Sequence, residues 1–215
     1  MMANRTQFYG ISHFLNVIGC IDCTHIKIKN PFGEIGEVYM NRKGWMSINT
    51  QVVVEPSAEI LYIEVRHPGS THDNTIFDRS SLWARFENNE LNVILLGDNG
   101  YACRSYLLTP FIETNSDPER RYNRSQEVTR KTIERMFGIW KAILPCLRSE
   151  LRLKLENSLI VIVACAVLYN FRIRCNQNHG DEVVIREEAE VNNEIPTNPQ
   201  SGLNRRQNFV QQLFQ

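Results

Sequence analysis

Three acidic residues of this chain lie where a carboxylate would be useful to a metal ion. Asp22 lies within a strand-like apolar run, Asp98 closes a second such run, and Glu134 lies in a helix-like stretch. Mg²⁺ and Mn²⁺ prefer carboxylate oxygens and take few protein ligands, which leaves positions for water and phosphate. The pattern therefore predicts a divalent-metal nuclease, with the three carboxylates converging within about 4–8 Å around a two-metal site.

Asp22 is the strongest single signal. Side chains alternate along a strand, so Cys20, Asp22 and Thr24 share one face and Ile21 and Cys23 share the other. An acid within an apolar strand is costly to bury unless it is paired or bound to a metal. The alternative is a strand whose Asp22 face is exposed to solvent, and we favour the functional interpretation.

The other two acids are weaker signals when each is taken alone. Asp98 stands between Gly97 and Gly100, which suit a tight turn at a strand end, but an ordinary turn has the same pattern. Glu134 falls at the edge of an apolar helix face, and an ion pair with Arg130 one turn away would explain it equally well. The three acids together carry more weight than any of them separately.

Two competing sites are less well supported. Cys20 and Cys23 with His25 suggest zinc, but the two cysteines fall on opposite strand faces and no second cysteine pair follows. Asp73, after His72, is more often part of a helix cap than of a catalytic dyad, and we keep it as an accessory candidate near the metals. No phosphate-binding glycine loop or serine nucleophile elbow is present.

Charge is unevenly distributed, although the net charge of the 215 residues is zero. Residues 119–174 carry 12 Lys/Arg against 5 Asp/Glu, between two acidic segments. A basic block suits a polyanionic partner such as DNA, although any one of these cations can simply belong to a solvated helix face. The candidate phosphate contacts are Arg42, Lys43, Arg130, Arg135 and Lys141.

Composition bounds the class of protein. Apolar content of 42% and charged content of 22% are typical of one globular domain at this length. Six cysteines without a dense pattern or a secretory leader predict reduced thiols in an intracellular compartment. The longest apolar run, 159–168, is shorter than the about 20 residues of a membrane span, and predicts a buried helix.

The hydrophobic pattern predicts an α/β domain over 14–175 with a mixed sheet, after a short lead at 1–13. Residues 176–215 turn polar and predict a disordered tail. The order β-β-β-α-β-α-α, with acids on strands one and four and on a late helix, is that of an RNase H-like fold. The predicted strands are 17–29, 46–55, 60–66 and 93–96, and the predicted helices are 74–86, 104–108, 125–141 and 151–174, with a polar loop at 113–124.

Six ordered motifs resemble those of PIF/Harbinger transposases and the nucleases derived from them. The resemblance covers about residues 14–175, and its motifs lie at 16–26, 41–44 with 47–49, 68–73, 96–101, 122–123 and 129–138. By motif, Asp22, Asp98 and Glu134 match the DDE metal ligands of this family, and Asp73 matches its His-Asp position.

The resemblance implies an RNase H-like core, Mg²⁺ or Mn²⁺ as cofactor, and hydrolytic cleavage of DNA. It also implies a nuclear location, with the cytoplasm as a second one, and a separate Myb/SANT-like DNA-binding partner. A helical region often precedes the core in the family, so the early position of Asp22 suggests a fragment, a truncated gene model or a relic of an element.

Two alternatives to an active nuclease remain. One is an inactive transposase core that serves as a nuclear DNA- or protein-binding module, favoured by Lys141-Ala-Ile-Leu144 where many relatives carry two further cations. The other is a metal-dependent phosphoesterase for small substrates, which the basic block disfavours.

Overall fold

Five strands form one mixed sheet at the centre of the domain. The structure is a computed structural model that describes residues 14, 16–31, 36–177 and 200–214. The strands are β1 Val17–Lys27, β2 Ser47–Val54, β3 Ile60–Pro68, β4 Ile94–Leu96 and β5 Leu107–Leu108.

The strand order β3-β2-β1-β4-β5 places the first strand in the middle. β1, β2 and β3 pair antiparallel, whereas β4 runs parallel to β1 and β5 runs parallel to β4. This arrangement confirms the predicted mixed sheet of an RNase H-like core. Because Cys20 lies beside Leu96 in the parallel pair, Asp22 and Asp98 both follow two residues later, towards the same edge of the sheet.

Helices cover both faces of this sheet. On one side, α3 and α4 bury a large apolar cluster with residues such as Cys20 and Trp140, and on the other α1 and α2 pack on a smaller cluster around Ile21 and Phe77. The opposite destinations of Cys20 and Ile21 confirm the predicted alternation along β1. The helices are α1 Asp73–Asp78, α2 Ser81–Glu87, α3 Asp117–Ile143, α4 Leu155–Gln177 and α5 Gln200–Leu213, with 3₁₀ turns at Glu37–Tyr39 and Pro145–Leu147.

α3 begins eight residues before the predicted start, so the predicted loop at 113–124 is wrong over most of its length. Ser116 accepts a hydrogen bond from the Glu119 backbone, and the Glu119 carboxylate accepts one from the Ser116 backbone. This reciprocal capping box satisfies amides that a helix start leaves unpaired, and Pro118 suits the first turn. The helix that begins there packs against β1.

Two other local predictions are wrong. Residues 107–108 form β5 instead of a helix, because Leu107 and Leu108 pair with Leu95 and Leu96 at the sheet edge. The predicted helix at 74–86 is two helices, since Ser80 ends the first and its side chain caps the second by accepting from the Trp83 backbone.

Residues 200–214 do not fit the predicted disordered tail. Residues 200–213 form α5, and Val210 and the following residue Phe214 pack into the main core. Arg206 is buried, donates to the backbone oxygens of Thr109 and Pro110, and lies over the Phe111 ring at 3.8 Å. Residues 178–199 and the lead at 1–13 lie outside the described residues.

α4 is also different from the prediction, because it is buried along one face and exposed along another. Ile162 and Tyr169 are fully buried, and Asn170 exchanges two hydrogen bonds with the Ile60 backbone of β3. Ile160 and Phe171, by contrast, are 66% and 68% exposed. By length and composition alone the helix would qualify as a membrane span, but its buried face belongs to the core of the domain.

Candidate metal centre

Asp22 lies in the middle of β1 with its side chain toward α3. Its Oδ1 accepts a hydrogen bond of 2.7 Å from the Cys23 backbone, and its Oδ2 lies 3.4 Å from Nη2 of Arg130. The side chain is 16% exposed. A nearly buried carboxylate in the central strand therefore lies beside the guanidinium group of Arg130.

Asp98 lies two residues beyond β4, in a turn that needs glycine. Its Oδ1 accepts from the Gly100 backbone at 2.8 Å. A Cβ at Gly100 would stand 2.9 Å from that Oδ1 and 3.5 Å from Oδ2 of Asp73. The predicted tight turn is present, and the small residue at 100 keeps space between two carboxylates.

Asp73 is the first residue of α1, and its carboxylate lies close to those of Asp22 and Asp98. Its Oδ1 accepts a 3.0 Å hydrogen bond from Nδ2 of Asn49. Burial raises the pKa of Asp73, while the hydrogen bond from Asn49 opposes that shift. Asp73 thus belongs to the central cluster and is more than a residue of a helix start.

One ligand atom from each of Asp22, Asp73 and Asp98 lies within 4.8 Å of those of the other two. Burial raises the pKa of Asp22 to about 7, Asp98 pushes it in the same direction, and Arg130 opposes both. Like charges this close disfavour ionisation unless a cation lies among them. We call these three side chains the aspartate cluster.

Glu134 adjoins this cluster through Arg130. Nη2 of Arg130 lies 3.4 Å from Asp22 and 3.8 Å from Oε1 of Glu134, one helical turn along α3. Because both contacts share Nη2, the Asp22 and Glu134 oxygens are no more than 7.2 Å apart, the sum of the two distances. The Glu134 side chain is 56% exposed, so this acid lies at the open side of the site.

Arg130 is the cation common to these acids. Burial alone would lower its pKa, but Asp22, Asp98 and Glu134 together raise it. The ion pair between Arg130 and Glu134, one of the two alternatives that the sequence left for this acid, is therefore present, and it lies beside the aspartate cluster.

A polar network beneath the cluster was not identified from the sequence. Gln51 on β2 donates to the Tyr101 hydroxyl at 3.1 Å and to the Asp73 backbone oxygen at 3.3 Å. Sγ of Cys23 lies 3.3 Å from the same hydroxyl. The signal available was Asn49 and Gln51, two amides at alternate positions of a strand that ends in three valines, since buried amides need partners.

The candidate phosphate contacts other than Arg130 lie at three places. Lys141 lies on the side of α3 that faces β1, where its Nζ donates to Thr24 Oγ1 at 2.7 Å. Arg42 contacts Nδ1 of His72 at 2.7 Å, beside the start of α1, and Lys43 is exposed in the same loop. Arg135 is exposed, and its charge acts on Tyr169 of α4, so it lies on a different side of α3 from Arg130.

The donor set decides which ion would fit. Among the described residues, the aspartate cluster is the one group of three or more His, Cys, Asp or Glu side chains with metal-ligand spacing. Carboxylate oxygens suit Mg²⁺ or Mn²⁺, whose ligands stand about 2.0–2.2 Å from the ion. Zinc at Cys20 and Cys23 is not supported, because Cys20 donates toward the Thr129 backbone of α3 while Cys23 faces Tyr101.

Comparison with known proteins matches residues 21–170 to the family described as DDE superfamily endonuclease. The chain is 36% identical over 183 residues to the mouse protein named "Putative nuclease HARBI1", and 33% identical over 187 residues to its human counterpart. It is 25% identical over 208 residues to "Protein ALP1-like" of Arabidopsis thaliana.

These alignments cover 83%, 85% and 87% of this chain, but 51%, 52% and 50% of the relatives. The chain thus spans about half the length of the curated relatives it matches. No solved structure matches the chain at a significant level.

Proposed function

Because this chain belongs to the DDE superfamily endonucleases, we propose that it is a divalent-metal-dependent nuclease that hydrolyses phosphodiester bonds in DNA. The observation that carries the proposal is the convergence of the aspartate cluster at one edge of β1 and β4, with Glu134 within 7.2 Å of Asp22 through Arg130. Membership of the family supports a nuclease-type domain.

Asp22, Asp98 and Glu134 are the proposed metal ligands, and Asp73 is a fourth carboxylate available to the same site. When bound, Mg²⁺ or Mn²⁺ at these oxygens would activate water and neutralise charge on the leaving oxygen. Asp22 belongs to the aspartate cluster and also lies beside Arg130, which contacts Glu134. Asp22 therefore links the cluster to Glu134.

The remaining residues orient these acids and attract the substrate. The Cys23 and Gly100 backbone amides and the Asn49 side chain each fix one carboxylate by donating a hydrogen bond. Arg130 limits the repulsion among the acids. Lys141 lies near β1 beyond Asp22, within the basic segment 119–174, where phosphates of a DNA backbone would be attracted.

A nicking assay tests this proposal. Purified protein is incubated with supercoiled plasmid and Mn²⁺ or Mg²⁺, beside Asp22→Asn and Glu134→Gln. We expect metal-dependent nicking by the wild type that EDTA abolishes, and a loss of at least about 100-fold in each variant, because an interaction worth about 2.7 kcal/mol or more disappears.

Glu127→Gln is the matched control, since Glu127 is an exposed glutamate on the same helix that pairs with Lys131. It should nick like the wild type. Equal nicking by Asp22→Asn would refute the nuclease proposal. No metal-dependent nicking by any form, with retained binding to DNA, would favour the inactive DNA-binding module.

The cellular setting is proposed on the resemblance alone. We propose a nuclear location and a separate Myb/SANT-like protein that brings the domain to its DNA target.

A further inference from the structure

Two cysteines from separate elements bring their sulfur atoms together beyond the end of α3. Cys146 lies in the 3₁₀ turn Pro145–Leu147 that follows α3, and Cys165 lies in the middle of α4. Their Sγ atoms are 3.7 Å apart, which is van der Waals contact, and both are free thiols. Neither residue belongs to the aspartate cluster, and the proposed nuclease mechanism uses neither thiol.

The two thiols differ in their access to solvent. Cys146 is exposed, whereas Cys165 is 5% exposed and packs in the main core. Burial and the neighbouring Cys146 raise the pKa of the Cys165 thiol to about 12, so this thiol is protonated at neutral pH. Because oxidants react with accessible thiolates, Cys146 is the sulfur that reacts first, and Cys165 is the second sulfur held beside it.

The contact needs only a local movement to become a covalent bond. A disulfide has an S–S length of about 2.05 Å, so two sulfurs that are 3.7 Å apart must approach by about 1.7 Å. Rotation of one cysteine side chain moves its sulfur over such a distance. Cys146 has room for this rotation because it is exposed on a three-residue turn, while Cys165 is held in a helix.

We propose that Cys146 and Cys165 form a reversible disulfide when the protein meets hydrogen peroxide. In the first step the Cys146 sulfur attacks one peroxide oxygen, the O–O bond breaks, and a sulfenic acid and one water are formed. In the second step the Cys165 sulfur attacks the Cys146 sulfur, the S–O bond breaks, and a second water leaves with the Cys165 proton. Two thiols and one peroxide thus give one disulfide and two waters, so the thiols are oxidised and the peroxide is reduced.

The disulfide joins the turn after α3 to the core helix α4. It closes a loop of about 20 residues, which restricts the unfolded chain and is expected to raise the melting temperature by roughly 6–12 °C. Because α3 also carries Glu134 and Lys141, the bond fixes the far end of the helix that borders the metal centre. The bond itself requires neither metal nor DNA, so the inference is independent of the proposed function.

Mass spectrometry of the full chain after treatment with hydrogen peroxide tests the bond. The wild type is expected to lose about 2 Da, one hydrogen from each thiol, and to recover its mass with dithiothreitol. Trypsin without reduction should release residues 142–148 linked to residues 155–172, since each segment follows a lysine and ends at an arginine.

Three variants identify the two sulfurs. Cys146→Ser should give no linked peptide, and neither should Cys165→Ala, which keeps a small apolar side chain in the core. Cys175→Ser is the matched control, because Cys175 is an exposed cysteine on the same helix, and it should form the disulfide like the wild type. Thermal melts of oxidised and reduced wild type measure the predicted stabilisation, which Cys146→Ser should lack.

The proposal is overturned by a wild type whose mass stays unchanged in peroxide. It is equally overturned if the peptide 142–148 gains oxygen atoms instead of becoming linked, because Cys165 then fails to reach the oxidised sulfur. Linkage through the peptide that begins at Cys175, or loss of the product in Cys175→Ser, would assign the bond to a different pair. An oxidised protein that melts below the reduced one would show that the bond distorts the fold, against the geometry argued for it.

Discussion

At the scale of single residues, Asp22 is the position where stability and the proposed function conflict. Its carboxylate lies in the central strand, close to two other aspartates and beside the cation of Arg130. Burial and Asp98 raise its pKa to about 7. Such strain is typical of functional sites, where a group is held in a setting that would not be selected for stability alone.

The metal-free protein should become less stable as Asp22 ionises. Because its pKa is raised from 3.8 to about 7, the folded state binds the proton more tightly than the unfolded state does. The free energy of unfolding therefore decreases from about pH 4 to pH 7 and does not change further above that. Asp22→Asn removes this loss of stability. We expect a melting temperature several degrees above that of the wild type at pH 8 with EDTA, and little difference at pH 4.

Asp117→Asn provides the control for this comparison. Asp117 is 79% exposed and pairs with Arg120, which lowers its pKa, so its replacement should give no gain at any pH. Thermal melts of the three proteins from pH 4 to 8 measure the effect. An Asp22→Asn gain that is independent of pH would contradict the titration account.

At the scale of elements, α3 connects the fold to the site. The helix carries Arg130, Glu134 and Lys141 across β1 over more than three turns, so its start and its angle fix where these charges lie. The capping box at Ser116 and Glu119 defines that start. The cluster itself is built from the ends of β4 and α1 and the middle of β1, three segments that are distant in sequence.

Loss of the cap should weaken the domain without changing the site directly. Ser116→Ala removes the acceptor for the Glu119 amide and is expected to cost about 1 kcal/mol. That lowers the melting temperature by about 2–4 °C in a domain of this size. Ser70→Ala, at an exposed loop position, is the control, and an equally small change in both variants would show that the capping box contributes little.

The sequence predicted the elements whose apolar periodicity is strong. β1, β2, β3 and the centres of α3 and α4 were identified this way, and so were the alternation around Asp22 and the turn at Asp98. β5 was missed because two leucines give no periodicity, and pairing with β4 decides its structure. The α5 helix was missed because its polar composition outweighs the spacing of Leu203, Val210 and Phe214.

The site was predictable in part for similar reasons. Family motifs and strand parity indicated Asp22, Asp98 and Glu134, and Asp73 was kept as an accessory candidate. Its approach to the other two aspartates depends on how α1 returns across β2, a tertiary contact that no local pattern specifies. The hydrogen bonds of Asn49, Gln51 and Tyr101 near the cluster also depend on tertiary contacts, so the local sequence did not predict them.

At the scale of the whole molecule, the proposed metal centre and the exposed apolar face of α4 lie at different places on the domain. One edge of β1 and β4 gathers the carboxylates beside the basic helix α3, while α4 lies against β3. Val167→Asp, on the exposed face of α4, should therefore leave metal binding intact.

Direct binding of Mn²⁺ tests the central claim. Loss of the electron paramagnetic resonance signal of free Mn²⁺ on titration with metal-free protein reports binding without requiring DNA or turnover. We predict that the wild type and Glu127→Gln bind Mn²⁺ alike, and that Asp98→Asn binds at least about tenfold more weakly, a loss of about 1.4 kcal/mol. Equal binding by Asp98→Asn, or no binding by the wild type at millimolar Mn²⁺, would contradict the metal centre.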